Sequence, residues 1–438
     1  MDPEVAGTSA ADLDVRQLEQ FAYDRLGFAG STGPTDGGHY PVEQVAERCG
    51  PGRSSLGCHH RSVSWCRWTD KRLTPVWRRG MVARLPGSAT GISSTAELRA
   101  ELRTRGFTAP ATTRILLELG FHLLFALGGI ALFVIADALP WQALGLLIMT
   151  LGNLGVGTNT HSASHHAASS KRWVNDLLTW FGYPFFLGMS ATSWRHQHVT
   201  LHHRSPNVAG VDGDADLMPL FALTEPEVAA SRGLHRIYLR RAQWLVLPLL
   251  AWATGFARQK KCTLRLLKVL RDPKQRRLTH VTDAAALMLH VLAWFVVPSL
   301  FFPVLDVVGF NLLRVALVGY PLFAVLAPAH YPAAAVALDP GARPTDSVRL
   351  QTDTTINFRT GFLGRLYCAG LEYQIEHHLF PNCSHVHYRA MSPLVKAYCQ
   401  RHGYQHRTLG WAEAIWQTLR VFHRPKPMVH AAEAKAAP

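Results

Sequence analysis

Residues 115–136 read ILLELGFHLLFALGGIALFVIA, a run interrupted by a single charge, Glu118. About 20 helical residues at ~1.5 Å each match a bilayer hydrocarbon core of roughly 30 Å, so the stretch predicts a membrane-spanning helix. Working outward, residues 141–160 carry no charge at all, and 284–305 and 308–329 repeat the pattern further along the chain. Four spans in two pairs follow. The whole chain agrees: of 438 residues, 48% are hydrophobic and only 17% charged. Two further apolar stretches, 173–189 and 244–257, are short or broken by Asn175, Asp176 and Pro184, and are expected to lie at the interface or to re-enter.

Lysine and arginine set the orientation. The connections Asp137 to Pro140 and Asp306 to Val308 contain neither, whereas Arg99, Arg103, Arg105, Arg114, Lys171, Arg172, Arg195 and Arg204 flank the opposite ends, and the basic stretch 232–277 joins them. The positive-inside rule places both termini and the central segment in the cytoplasm. Arg314, near the expected outer end of the fourth span, is expected to snorkel. A formal charge of +15 then reads as attraction of cytosolic loops to anionic lipid head groups and not as nucleic-acid binding.

Residues 1–80 differ in character, being rich in Gly, Ser and Arg, and read as a disordered or wrongly assigned leader with translation starting at Met81. Cys49, Cys58, His59, His60 and Cys66 match no common structural zinc spacing. The seven cysteines lack CxxC pairs, which argues against a disulfide framework. From Ser93, SSTAELRAELRTRG predicts a short amphipathic helix with a Ser or Thr cap. The folded domain is expected over 81–420, followed by a flexible tail over 421–438.

The histidines follow the topology. His161 and His165 come directly after the second span; His198 and His202 repeat the i, i+4 spacing that puts two imidazoles on one helix face, and His203 extends it. His330 ends the fourth span, and His377 and His378 stand side by side in LEYQIEHHLFPNCSHVHY, residues 371–388. His166 points away as a neighbour, and one face cannot also hold His196. His122 and His290, inside spans, read as hydrogen-bonded interior residues, and His385 and His387 as a loop or supporting pair. All eight of the first set fall at one side of the membrane, which argues for a single site built from distant segments. Eight imidazoles are twice what one tetrahedral zinc needs, so two metal ions are the natural count. Imidazole suits Zn, Cu, Fe and Ni alike, while the lack of thiolates there argues against an iron–sulfur cluster. A dimetal site open to a membrane-embedded apolar cavity suits oxidation of a hydrocarbon chain by O2.

Three motifs carry a family resemblance: His161-SAS-His165, His198-VTL-His202-His203 and Gln374-IE-His377-His378. Over roughly residues 93–420 the chain resembles the membrane fatty acid desaturases, in particular the front-end and bacterial acyl-lipid branch with Gln opening the third box; GVDGDAD and TTINF also look like family text. The resemblance implies an all-α membrane protein of four transmembrane helices with a cytosolic helical cap. It implies a non-haem diiron centre held by the box histidines with His330 as the extra ligand. It also implies insertion of a C=C bond into an acyl chain with O2 and two electrons. Supporting roles around the ligands fall to Gln374, Glu376, Asn357, Asp212, Asp214, Asp216 and His166. Ser162 stands where many members have Asp, and Gln374, a weaker ligand than His, is expected to orient a ligand or water. The His-Pro-Gly-Gly of a fused cytochrome b5 is absent, so the expected electron donor is a separate ferredoxin or cytochrome b5. The acyl carrier stays open among CoA, carrier protein and membrane lipid. A hydroxylase on the same scaffold is the rival reading, and a non-enzymatic metal transporter a distant one, because transport sites lie near the bilayer midplane.

Overall fold

The computed structural model describes residues 95–430; the leader expected over 1–80, with its Cys and His residues, and residues 431–438 lie outside the described part. Four helices are long and apolar enough to cross a membrane: Thr112–Ile135, Leu139–Ser164, Leu278–Leu300 and Val304–Ala329. They form two hairpins. The third span is the least buried of the four, at 11% of its most apolar window, and its leucines and valines face outward, as lipid contact requires. The second turn falls earlier than the charge pattern suggests. Val304–Leu326 already contains Asp306 in its first turn, because Pro298 and Pro303 end the third span and fix the entry to the fourth. The stretches 173–189 and 244–257 both stay outside the four spans. The first is the helix Arg172–Trp180 running into a π-helical Phe181–Phe186, and the second is the helix Gln243–Leu250, a short 3₁₀ turn and the start of Thr254–Arg271.

The first hairpin closes through small residues. A Cβ at Gly152 would lie 2.2 Å from the Ala126 backbone nitrogen, so the spans approach backbone to backbone as membrane helices do where side chains are absent. Gly152→Ala is expected to destabilise the hairpin by about 1–3 kcal/mol through overpacking, seen as a lower melting temperature of the detergent-extracted protein. An unchanged melting temperature would mean the pair is looser than drawn.

Arg314 does not snorkel. It is only 3% exposed, its guanidinium donating to Asn311 Oδ1 at 3.2 Å, to the Phe186 carbonyl at 3.2 Å and to Asn153 Oδ1 at 3.4 Å, and it lies 3.8 Å from the Trp294 ring centroid. Facing inward, it ties the second, third and fourth spans to the Phe181–Phe186 segment. His290 is an interior residue of the kind expected, its Nδ1 2.7 Å from the Phe185 carbonyl.

The remaining elements cap the end of the bundle where Thr112, Ser164, Leu278 and Ala329 lie. The helix Ala96–Thr104 buries Leu98 and Leu102 against Met391, Val395 and Tyr398 of His385–His402. Its expected cap does not form: the Thr95 hydroxyl accepts from Arg99 Nε at 3.3 Å. Two parallel strand pairs brace the cap, Asn357–Arg359 with Thr408–Gly410 and Ala337–Leu338 with Met428–Val429. The second pair draws the chain beyond 421 into the fold, where the sequence suggested a tail. Beyond the helix Trp411–His423 the chain runs extended through Lys426, which is buried and donates to the carbonyls of Ala335 at 2.6 Å and His330 at 3.0 Å. Burial lowers the Lys426 pKa to about 7.

Candidate metal centre

The four spans deliver the ligand-bearing segments to one level. His161 occupies the last turn of Leu139–Ser164 and His165 is its C-cap. The middle motif is not α-helical: Arg195–His202 is π-helical, and the His203 nitrogen bonds the His198 carbonyl five residues back at 3.1 Å. One such turn returns between its fourth and fifth residues, so His198, His202 and His203 all face the same way, where an α-helix would turn His203 aside. His330 caps the short 3₁₀ turn that ends the fourth span, and His377 and His378 lie on the short buried helix Gln374–Leu379.

The eight rings form two neighbouring groups. His161, His165, His198 and His377 present ligand atoms within 4.8 Å of one another, and so do His202, His330 and His378. His203 stands between the groups, its ring centroid 4.4 Å from His165, 4.5 Å from His377 and 4.2 Å from His378. All eight are buried.

Hydrogen bonds on the outer nitrogens decide which lone pairs face inward. His202 Nδ1 donates to Asp212 at 2.9 Å, His198 Nδ1 to Asp214 at 3.0 Å and His378 Nδ1 to Gln351 Oε1 at 2.8 Å. His377 Nδ1 lies 3.2 Å from the Tyr388 hydroxyl. With the proton held on Nδ1, each Nε2 offers a lone pair to the interior. His161 and His198 bring their Nε2 atoms within 2.9 Å, and the Nε2 atoms of His165, His203, His377 and His378 are buried without any partner. Each orphaned nitrogen costs about 1–3 kcal/mol, an arrangement that a bound metal relieves. The donor set is all imidazole, and it fits a metal centre.

Electrostatics keep most of these rings neutral. Burial, and then the neighbouring rings, holds His165, His198, His203, His377 and His378 far below the usual histidine pKa, and His330 is pushed to about 3. His202 differs: burial lowers it, but the charge and hydrogen bond of Asp212 outweigh that and raise its pKa. Arg258, 3.2 Å from Asp214 Oδ1, holds the Asp214 carboxylate ionised in spite of burial.

The other residues named from sequence take varied places. The Gln374 amide lies 2.8 Å from His330 Nε2, beside a ligand and not at the centre of either group. Glu376 faces away from the rings, gripped by Asn357 Nδ2 at 2.7 Å and His406 Nε2 at 2.8 Å, while Asn357 Oδ1 accepts the Ile375 N–H at 2.9 Å. These bonds fix the helix that carries His377 and His378. Asp216 is exposed and, among the described residues, accepts the Met218 N–H at 3.2 Å. His166 is exposed with a left-handed φ of 58°, because the helix stops at His165. His385 joins Ser162 at 2.6 Å and Glu118 at 3.0 Å, so Ser162 reaches a carboxylate through a histidine. Sequence reasoning missed Gln351, Tyr388 and His406; Gln351, just upstream of TTINF, also donates to the His203 carbonyl at 2.8 Å.

Comparison with known proteins agrees with this geometry. The fatty acid desaturase family model matches residues 138–410, which contain all eight histidines. The chain is 29% identical over 295 residues to a Delta(5) fatty acid desaturase of Caenorhabditis elegans, covering 64% of this chain and 60% of that protein. It is 29% identical over 277 residues to a Delta(8)-fatty-acid desaturase of Euglena gracilis, covering 60% and 63%. It is 28% identical over 283 residues to an sn-1 linoleoyl-lipid 6-desaturase of Arthrospira platensis, covering 61% and 73%. The chain thus spans about three fifths of the length of the first two relatives. With the family model matched over more than half of its length, the chain belongs to the fatty acid desaturase family.

Proposed function

We propose that the protein is a membrane diiron desaturase that converts –CH2–CH2– of an acyl chain to –CH=CH– with O2, two protons and two electrons, releasing two waters. The observation that carries the reading is the convergence of eight buried imidazoles, four of them with unpartnered Nε2 atoms, at the junction between apolar spans and cap. Two irons there would supply the oxidising power needed to remove hydrogen from an unactivated methylene. The chain's own part is to hold and orient. Asp212, Asp214, Gln351 and Tyr388 keep the ligand rings in one tautomer and rotation. Trp194, stacked on His198 at 4.4 Å between centroids, shields that ring from water, while Ile375 and Leu379 anchor the helix of His377 and His378 in the cap core with Leu98 and Val395.

The loop charges support a cytosolic cap, with both termini on that side. The electrons then come from a reduced protein carrier, a ferredoxin or cytochrome b5, for which the basic cap face offers attraction. Mass spectrometry of derivatised acyl chains from a desaturase-deficient host expressing the full chain tests the reading. New double bonds are the expected result; hydroxy-acyl products without them would replace it with a hydroxylase.

A further inference from the structure

A cavity of about 320 Å³ lies beside the metal centre and shares Trp194, Asp214, Arg258 and Tyr331 with the space next to His198, His202 and His330. Most of its wall is apolar, from Leu217 to Phe221 and from Leu247 to Ala251. On its wall Leu220 is 54% exposed, and Leu249 and Trp252, which flank the lining residues Leu250 and Ala251 in sequence, are 68% and 38% exposed, as elements resting on a membrane surface are. One part of the wall is polar. Gln197, the residue before ligand His198, points its amide nitrogen into buried space without any acceptor. Lys261 Nζ stands beside it, donating to the Gly213 carbonyl at 3.1 Å. The two donors meet over Gly213, where a Cβ would lie 2.5 Å from Gln197 Nε2 and 2.8 Å from Lys261 Nζ. Gly213 separates Asp212 from Asp214, the two carboxylates that hold His202 and His198.

A buried amide N–H2 lacking an acceptor beside an ammonium suits a ligand that brings oxygen acceptors and negative charge. An acyl chain carries only one such end. Resting on the desaturase reading above, we infer that Gln197 and Lys261 form the head-end subsite of the substrate, Gln197 donating to the ester or thioester carbonyl and Lys261 facing the phosphate of the acyl carrier. Because the subsite adjoins the carboxylates that orient His198 and His202, it fixes the oxidised bond by its distance from the carboxyl end, whatever the length of the chain beyond. Phosphate and acyl carbonyl occur together both in a glycerophospholipid and in an acyl-CoA, and the mouth takes either through the same contacts.

Two measurements on the full chain test this. In the first, the melting temperature of the detergent-solubilised protein is followed with dioleoyl phosphatidate and, separately, with palmitoyl-CoA. At least one is expected to raise it, the effective one identifying the carrier, and Lys261→Glu is expected to remove the rise. If neither ligand acts on the wild type, or if Lys261→Glu responds as fully as the wild type, the subsite is wrong. In the second, hosts are fed fatty acids of 16, 18 and 20 carbons. The wild type is expected to place its double bond at one position counted from the carboxyl carbon. Gln197→Leu, with iron content equal to the wild type, is expected to spread it over neighbouring positions with at least a tenfold rise in KM. A position that moves with chain length, or a Gln197→Leu enzyme unchanged in both respects, would overturn the assignment. A wild type that binds the ligands but makes no double bond would overturn the desaturase reading and leave the subsite standing, since the melting shift needs no turnover.

Discussion

His203→Ala is expected to yield a folded protein with about one iron or fewer and no detectable product, a loss beyond the roughly 10–100-fold that follows removal of a mere supporting partner. The choice of His203 over its neighbours is deliberate. Both of its ring nitrogens are buried without a hydrogen-bond partner, and its ring lies between the two histidine groups, in contact with His165, His377 and His378. A residue with no partner contributes nothing through hydrogen bonding to the metal-free fold. Its desolvated nitrogens oppose folding, so alanine there relieves a cost of about 1–3 kcal/mol, offset by the cavity left behind. Melting of the metal-free protein is therefore expected to change little, while iron content and turnover collapse together. Iron analysis and the thermal melt separate the two effects. A variant that keeps two irons and normal turnover would remove His203 from the ligand set; one that melts far below the metal-free wild type would make it a packing residue.

The legible part of this molecule was its membrane layout and the level of its histidines. Long apolar runs need only composition, and the spans fall within a few residues of where hydropathy puts them. The register of the second turn was not legible, because Asp306 looks like a loop residue until Pro303 is seen to start the helix ahead of it. The middle histidine motif shows a deeper limit. Read as an α-helix, HVTLHH brings His198 and His202 to one face and turns His203 away; the π turn that aligns all three depends on packing and leaves no periodic trace in eight residues. The partners that set ring tautomers escaped for another reason. Gln351 is 27 positions from His378, and its pairing is made by the cap's tertiary fold, which hydrophobic pattern does not encode. Glu376, adjacent in sequence to His377, looked like a natural carboxylate for the rings, yet it lies on the opposite side of its short helix, held by Asn357 and His406. Arg314 failed for a comparable reason: snorkelling assumes a helix facing lipid, and this one faces Asn153 across a helix contact.

Asp212→Asn is expected to weaken iron binding by about 10–100-fold and to lower turnover by a similar factor while the fold persists. The carboxylate has three acceptor tasks. One oxygen accepts from His202 Nδ1 at 2.9 Å and from the Asn207 N–H at 2.8 Å, and the other accepts the Asp214 N–H at 2.9 Å. An amide of the same shape has only one acceptor oxygen. With that oxygen toward His202, the new NH2 meets the Asp214 N–H, donor against donor, and disturbs the loop that brings Asp214 to His198. Turned the other way, the NH2 faces His202 Nδ1 and drives the ring proton to Nε2, which removes the inward lone pair. Both orientations damage the centre, one through His198 and the other through His202. The structural penalty is limited to an unmade hydrogen bond, about 1–3 kcal/mol, so the protein remains extractable and monodisperse. Competition with an iron chelator reads the affinity, and product formation after saturation with iron separates lost metal from misplaced metal. If affinity and rate both stay within twofold of the wild type, Asp212 does not orient His202 and the second histidine group is held some other way.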